Sequence, residues 1–477
     1  MVQQILAVVI LVTLATIHSG ESARALRRMF PSKIAPMWQN GVDPGEPAFL
    51  TPYLEKGEID KARQVSLVSD LRGIPIKSYS GLLTVNETYN SNMYFWFFPA
   101  QVNPADAPVL LWLQGGPGGS SLFGLFVEHG PYTVLENGTL TRKNVTWNEK
   151  YSMLYIDNPV GTGFSFTKDD RGYATNEVDV GINLYKALVQ FFQIYPEFQK
   201  NEFYVTGESY AGKYVPAISY RIHLENPAAK VKINFKGMAI GDGLCDPETM
   251  MSQYAPFMFS IGTLDENQRD YFQNLSDIAV QDIKAGRYMD AFKIFDELLN
   301  GDETTGPPFY QQATGSTDYY NFLRIKSPDS FGYYNNLLAD PSVRKAIHVG
   351  NLTYNDGSTV EKYLTNDFMQ SVKPWISVLL DNYKVMIYNG QLDIIIAVPL
   401  TEAWLQTVPW SGLEKYKSVE RNIWNCTLCG GEIAGYYRQV DNFYQVIVLG
   451  AGHILPHDQP LRGYEMIQRF VENRSFS

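Results

Sequence analysis

The sequence predicts an α/β chain: a mostly parallel, doubly wound sheet broken by a helical insertion. Three observations carry this expectation. Short continuous apolar runs recur at 93–98, 109–113, 153–156, 203–206, 235–240, 384–388 and 444–449. Several are apolar at every position, as strands covered by helices on both faces are. Helical patterns at 179–194, 210–224 and 460–471 alternate with them, the order expected of βα units. Third, the alternation stops between about Leu244 and Asn366 and then resumes.

Each break has its own punctuation. The 109–113 run is bounded by Pro108 and Gly115, the 153–156 run by Asn158-Pro159, and the 179–194 helix stops before Pro196. Within the interruption, Thr263 and Glu266 predict a capping box ahead of a helix at 267–283. A second helix is expected at 289–299, and 301–316 reads as a polar Gly/Pro-rich loop. The expected organisation is a signal peptide at 1–22, an N-terminal extension at 23–77 and a first part of the core at 78–243. A cap insertion at 244–366 and a second part of the core at 367–477 complete it.

Composition bounds the function. The chain has 477 residues, 45% of them hydrophobic and 19% charged, with a formal charge of −11. This is an ordinary folded protein, neither disordered nor a coiled coil, and its charge argues against nucleic acid or an anionic membrane as partner. The apolar run from Ile5 to Ala15 falls short of the roughly 20 residues a bilayer span needs. Small residues at Ser19, Gly20, Ser22 and Ala23 follow it, as a signal-peptidase site requires. No later stretch reads as a membrane span. Sequons at Asn86, Asn137, Asn144, Asn274, Asn351, Asn425 and Asn473 agree with a glycosylated protein of the secretory pathway, secreted or lysosomal. Of the three cysteines, Cys426 and Cys429 are spaced for a local disulfide or plain structural thiols rather than a metal or redox site.

The chemistry concentrates at strand ends. In Tyr204-Val-Thr-Gly-Glu-Ser-Tyr-Ala-Gly212 a strand runs into a tight turn and then a helix. That turn lifts the Ser209 hydroxyl out of the sheet as a nucleophile. A serine needs a base, and of six histidines His453, in Gly450-Ala-Gly-His, follows the last strand; His457 is its one rival. Asp393 follows the preceding strand in the same way and is the acid that would orient the imidazole. Asp381 precedes that strand, at the wrong edge. The run Trp112-Leu-Gln-Gly-Gly-Pro-Gly-Gly supplies flexible backbone for an oxyanion hole, with amides expected from Gly116 and Tyr210. It lacks the Lys-Ser/Thr ending of a phosphate loop.

These motifs, with Pro159-Val-Gly-Thr-Gly-Phe-Ser165, resemble the serine carboxypeptidase family, and in particular its vitellogenic-like branch, over nearly the whole mature chain. The resemblance implies an α/β-hydrolase fold with an inserted cap, no metal or organic cofactor, and release of single residues from peptide or protein C-termini. It also implies a clamp for the substrate carboxylate at Trp112, Gln114, Gly115, Glu128 and Glu208. Two glutamates beside a third carboxylate must share a proton, so the implied optimum is acidic. Many relatives have Asn at the Gln114 position and Cys at the Gly119 position. An acyltransferase on the same scaffold and a catalytically silent binding protein are the alternative expectations. A homodimer is left open.

Overall fold

The structure, a computed structural model, describes residues 33–35, 42–68 and 70–477; the expected signal peptide at 1–22 lies outside them. Among the described residues one sheet of eleven strands forms the body. In chain order its strands are β1 (Leu67–Val68), β2 (Ser78–Asn86), β3 (Ser91–Phe98), β4 (Val109–Leu113), β5 (Ser152–Ile156) and β6 (Phe203–Glu208). Then come β7 (Phe235–Gly241), β8 (Lys384–Gly390), β9 (Asn422–Cys426), β10 (Glu432–Val440) and β11 (Phe443–Val448). The spatial order is β1-β2-β3-β5-β4-β6-β7-β8-β11-β10-β9. The central block β5-β4-β6-β7-β8-β11 is parallel throughout. Antiparallel strands close both edges.

The apolar runs are explained by packing. All five residues of β4 are buried. Leu111 and Leu113 join one apolar cluster with the helices Glu177–Ile194 and Ala211–Glu225, while Leu110 and Trp112 join the other with the helix Pro460–Val471. Side chains alternate across a strand, so a strand covered on both sides must be apolar at every position.

The segment between β7 and β8 adds no strand to this sheet; it carries mainly helices, among them Glu266–Lys284, Tyr288–Phe295, Ser358–Phe368 and Lys373–Asn382, and the short strand Asn355–Asp356, which pairs with Thr162–Gly163. Three local expectations are corrected. The capping box is made by Asp265 and Gln268, because the Thr263 hydroxyl is taken by the carbonyl of Met258 at 2.8 Å. The 289–299 helix changes to a wider turn over Asp296–Asn300, where the buried Asp296 carboxylate accepts the amides of Asp302, Glu303 and Thr304. The expected loop at 301–316 contains the helix Phe309–Thr314.

Cys426 and Cys429 form a disulfide with Cα atoms 5.1 Å apart, and Cys245 is free and buried. Among the described residues no helix is long and apolar enough to cross a membrane. Six sequon asparagines are exposed, and Asn86 is half-buried.

Candidate active site

Ser209 follows β6 with φ +65°, a left-handed backbone that costs a non-glycine residue about 1–2 kcal/mol. Hydrogen bonds on both sides hold it there. Its amide donates to the Gly241 carbonyl at the end of β7, and its carbonyl accepts from Gly212 and Leu244. The turn tolerates no side chain at Gly207, where a Cβ would lie 2.5 Å from the Leu113 carbonyl oxygen. It tolerates none at Gly115 either, where a Cβ would meet the Tyr210 amide nitrogen at 2.5 Å. The Gly-rich loop therefore presses directly on the elbow. Gly116, Ser209 and Tyr210 together line a cleft of about 190 Å³, whose apolar wall includes Leu244, Phe295 and Phe368.

The other strand-end residues converge on the elbow from β8 and β11. His453 Nδ1 lies 2.7 Å from Asp393 Oδ2, which also accepts the Ile396 amide at 3.2 Å. Both side chains are fully buried, whereas Ser209 is partly exposed. The His453 amide donates to the Tyr320 carbonyl, and the Tyr320 ring packs 5.1 Å from the imidazole. Burial opposes the charged imidazole, but Asp393 and, more weakly, Glu208 and Asp318 outweigh it and raise its pKa. Nε2 has no hydrogen-bond partner among the described residues; the serine–histidine contact of such sites commonly tightens only with substrate bound. The rival His457 is turned elsewhere, with Nδ1 on the Val127 carbonyl and its ring against Phe331. Asp381 is exposed and accepts the Ser411 amide.

The expected clamp residues also meet. Trp112 Nε1 donates to Gln114 Oε1 at 3.0 Å, and Gln114 Nε2 donates to Glu208 Oε1 at 2.7 Å. The Glu128 carboxyl faces Glu208, and the four side chains are buried behind Ser209. Burial, then the neighbouring Glu208, pushes Glu128 well above the usual carboxylate range. Burial pushes Glu208 up to about 7. Lys143, whose ammonium donates to the carbonyls of Phe126 and Glu128, is pushed down to about 7 by burial.

Three buried acids here were not singled out in the sequence. Asp157 accepts the Ser120 hydroxyl and the Phe164 amide, tying the Gly-rich loop to the Pro159–Ser165 loop. Asp367 pairs with the buried Lys213 at 2.5 Å and accepts the Tyr210 hydroxyl, fastening the elbow helix to the helix Ser358–Phe368. Asp242 sits beside Asp393. Each follows a strand or ends a helix next to the site, which is the one signal the sequence offered for them.

Residues 70–473 match the family model described as serine carboxypeptidase. The chain is 57% identical over 434 residues to the probable serine carboxypeptidase CPVL of Homo sapiens, covering 91% of each chain. It is 49% identical over 457 residues to the venom serine carboxypeptidase of Apis mellifera, covering 95% of this chain and 97% of the relative. With the vitellogenic carboxypeptidase of Aedes aegypti it shares 42% over 437 residues and 90% of each chain. A prohormone-processing carboxypeptidase from Saccharomyces cerevisiae, Kex1, superposes with a TM-score of 0.73 at 24% identity, covering 86% of this chain and 96% of that one. That likeness speaks for the α/β-hydrolase fold. Family match and relatives together make this chain a member of the serine carboxypeptidase family, a serine-type hydrolase of C-terminal peptide bonds.

Proposed function

We propose that Ser209, His453 and Asp393 carry the reaction through an acyl-enzyme. Ser209 Oγ attacks the last peptide bond while His453 Nε2 takes its proton, and Asp393 holds the imidazole through Nδ1. The amides of Gly116 and Tyr210 stabilise the oxyanion. The proton then passes to the leaving amine, the terminal amino acid departs, and water activated by His453 frees the serine. The observation that carries this reading is the strained Ser209 turn at the same end of the parallel block as a buried Asp393–His453 bond.

Trp112, Gln114, Gly115, Glu128 and Glu208 are the proposed clamp for the substrate's terminal carboxylate. With Glu208 protonated below about pH 7, both glutamates donate hydrogen bonds to that carboxylate. Above that pH the pair gains a negative charge and repels it. Protonating Glu208 also removes one of the anions that hold a proton on His453, which frees the base at lower pH. The optimum is therefore acidic. The helices at 244–366 act as a cap over the cleft. An acidic compartment reached through the secretory pathway, secreted or lysosomal, and N-glycans on the exposed sequons complete the proposal.

Peptides with free and with amidated C-termini, digested at pH 5 and read by mass spectrometry, test it. Stepwise loss of single residues from free acids, with amides resistant, is expected. Internal cleavage, or equal loss from both, contradicts it.

A further inference from the structure

Asp242 follows β7 beside Asp393 and His453, and the proposed mechanism gives it no role. Its φ of +41° is held by an amide hydrogen bond to the Tyr388 carbonyl, again a strained residue fixed from the next strand. The side chain is fully buried. Oδ1 accepts the Gly390 amide at 2.9 Å and Asn389 Nδ2 at 3.2 Å. Among the described residues, no donor reaches Oδ2 of Asp242 or Oδ1 of Asp393. Yet the two carboxyls are close neighbours: an oxygen of each and a ring nitrogen of His453 all lie within 4.8 Å of one another.

Two buried carboxyls this close, each with an oxygen that no donor reaches, are costly when both are ionised and are relieved when one proton is shared between them. The proton belongs on Asp242. Asp393 is opposite an imidazole that becomes cationic during the reaction, and its Oδ2 already accepts two N–H groups. We propose that the Asp242 carboxyl carries a proton and donates a hydrogen bond to Asp393 Oδ1, so that Asp242 is a positioning residue of the triad. The bond fixes the carboxylate plane that presents Oδ2 to His453 Nδ1, without adding a second negative charge beside the imidazole. Burial first, then the charges of Asp393 and Glu208, favours the neutral form of Asp242. Tyr388, whose ring edges Gly241, and His453 are the other titratable groups facing it.

The test compares three proteins by the pH dependence of kcat on a saturating peptide. Asp242→Leu removes the donor, and kcat should fall on the order of 10- to 100-fold with little change in KM, the value of one charge-assisted hydrogen bond. Asp242→Asn keeps a neutral donor toward Asp393 and should recover most of that loss. Its acid limb, set by His453, should stay within about 0.3 pH unit of wild type. An ionised Asp242 predicts a different result: removing its charge in Asp242→Asn would lower the limb by about one unit or more, and that outcome overturns the proposal. If Asp242→Leu does not fold, the limb of Asp242→Asn decides alone. Loss of wild-type activity on dialysis against EDTA would assign Asp242 to a cation site and also overturn it.

Discussion

The Glu128–Glu208 pair and the Asp242–Asp393 pair are both sealed from solvent beside the same histidine, yet they are satisfied very differently. In the aspartate pair, backbone and side-chain donors fill Oδ1 of Asp242 and Oδ2 of Asp393, and one oxygen of each carboxyl has no donor among the described residues. In the glutamate pair one donor, Gln114 Nε2, reaches Glu208 Oε1. Both oxygens of Glu128 and the second of Glu208 have no donor among the described residues. Four donors anchor the first pair, as suits groups that must hold still. The second keeps hydrogen-bonding capacity in reserve, as a group that must receive a ligand should. On the functions proposed above, the first pair should act on kcat and the second on KM.

The largest effect expected of that separation is on Asp393→Asn. It keeps the packing but favours the wrong imidazole tautomer, so kcat should fall on the order of 10⁴-fold with KM nearly unchanged. Glu208→Gln should do the reverse in stopped-assay kinetics. It cannot ionise, so KM for free-acid peptides should no longer rise as pH passes about 7, while kcat stays within about 10-fold. C-terminal amides, with no carboxylate to repel, should show no such change. A Glu208→Gln variant that loses kcat as Asp393→Asn does, with KM and its pH dependence intact, would collapse the comparison.

A smaller effect is on stability. Burial raises Glu208 and Asp157 to about 7 and Asp318 to about 6. These carboxyls bind protons more tightly folded than unfolded. Their contribution is thus complete below about pH 4 and is lost as pH rises through 6 to 7. Scanning calorimetry should show Tm falling between pH 5 and pH 7.5, by about 5 °C or more; a higher Tm at pH 7.5 would mean that these acids are ionised in the fold. The smallest effect serves as the control. Replacing Cys426 and Cys429 together by Ser opens a short loop between β9 and β10, costing about 2 kcal/mol or less, with peptide kinetics unchanged.

Legibility in the sequence followed continuous apolar runs rather than burial alone: β2 is buried over most of its length, but its mixed polar and apolar residues do not stand out. The strands of the central block stand out because both faces are covered, so that most of their positions form continuous apolar runs. The edge hairpin β9–β10 escaped notice because its residues alternate between buried and exposed and its apolar content is diluted. Ser209, Asp393 and His453 were legible because each follows a strand in a glycine-marked turn. Asp242 occupies an equivalent position, between Gly241 and Gly243. It was passed over because a role for it appears only when β7 is seen lying next to β8. The capping box lies two residues later because two side chains compete for one helix start, and Thr263 is taken by the Met258 carbonyl at the end of the preceding helix. Gln114 is the residue whose chemistry the sequence described least well. Its amide is engaged on both ends, to Trp112 and Glu208, so it acts first by placing Glu208.

Every step of the proposed reaction depends on Ser209 as the nucleophile. Purified wild-type protein and Ser209→Ala should be treated with a fluorophosphonate at pH 5–6 and digested, and the adduct located by tandem mass spectrometry. The account predicts one phosphonylated peptide, modified at Ser209. It further predicts no labelling of Ser209→Ala, together with a loss of peptide hydrolysis on the order of 10⁴-fold or more and an unchanged melting profile. Labelling at another residue, or undiminished labelling and hydrolysis in Ser209→Ala, would contradict it.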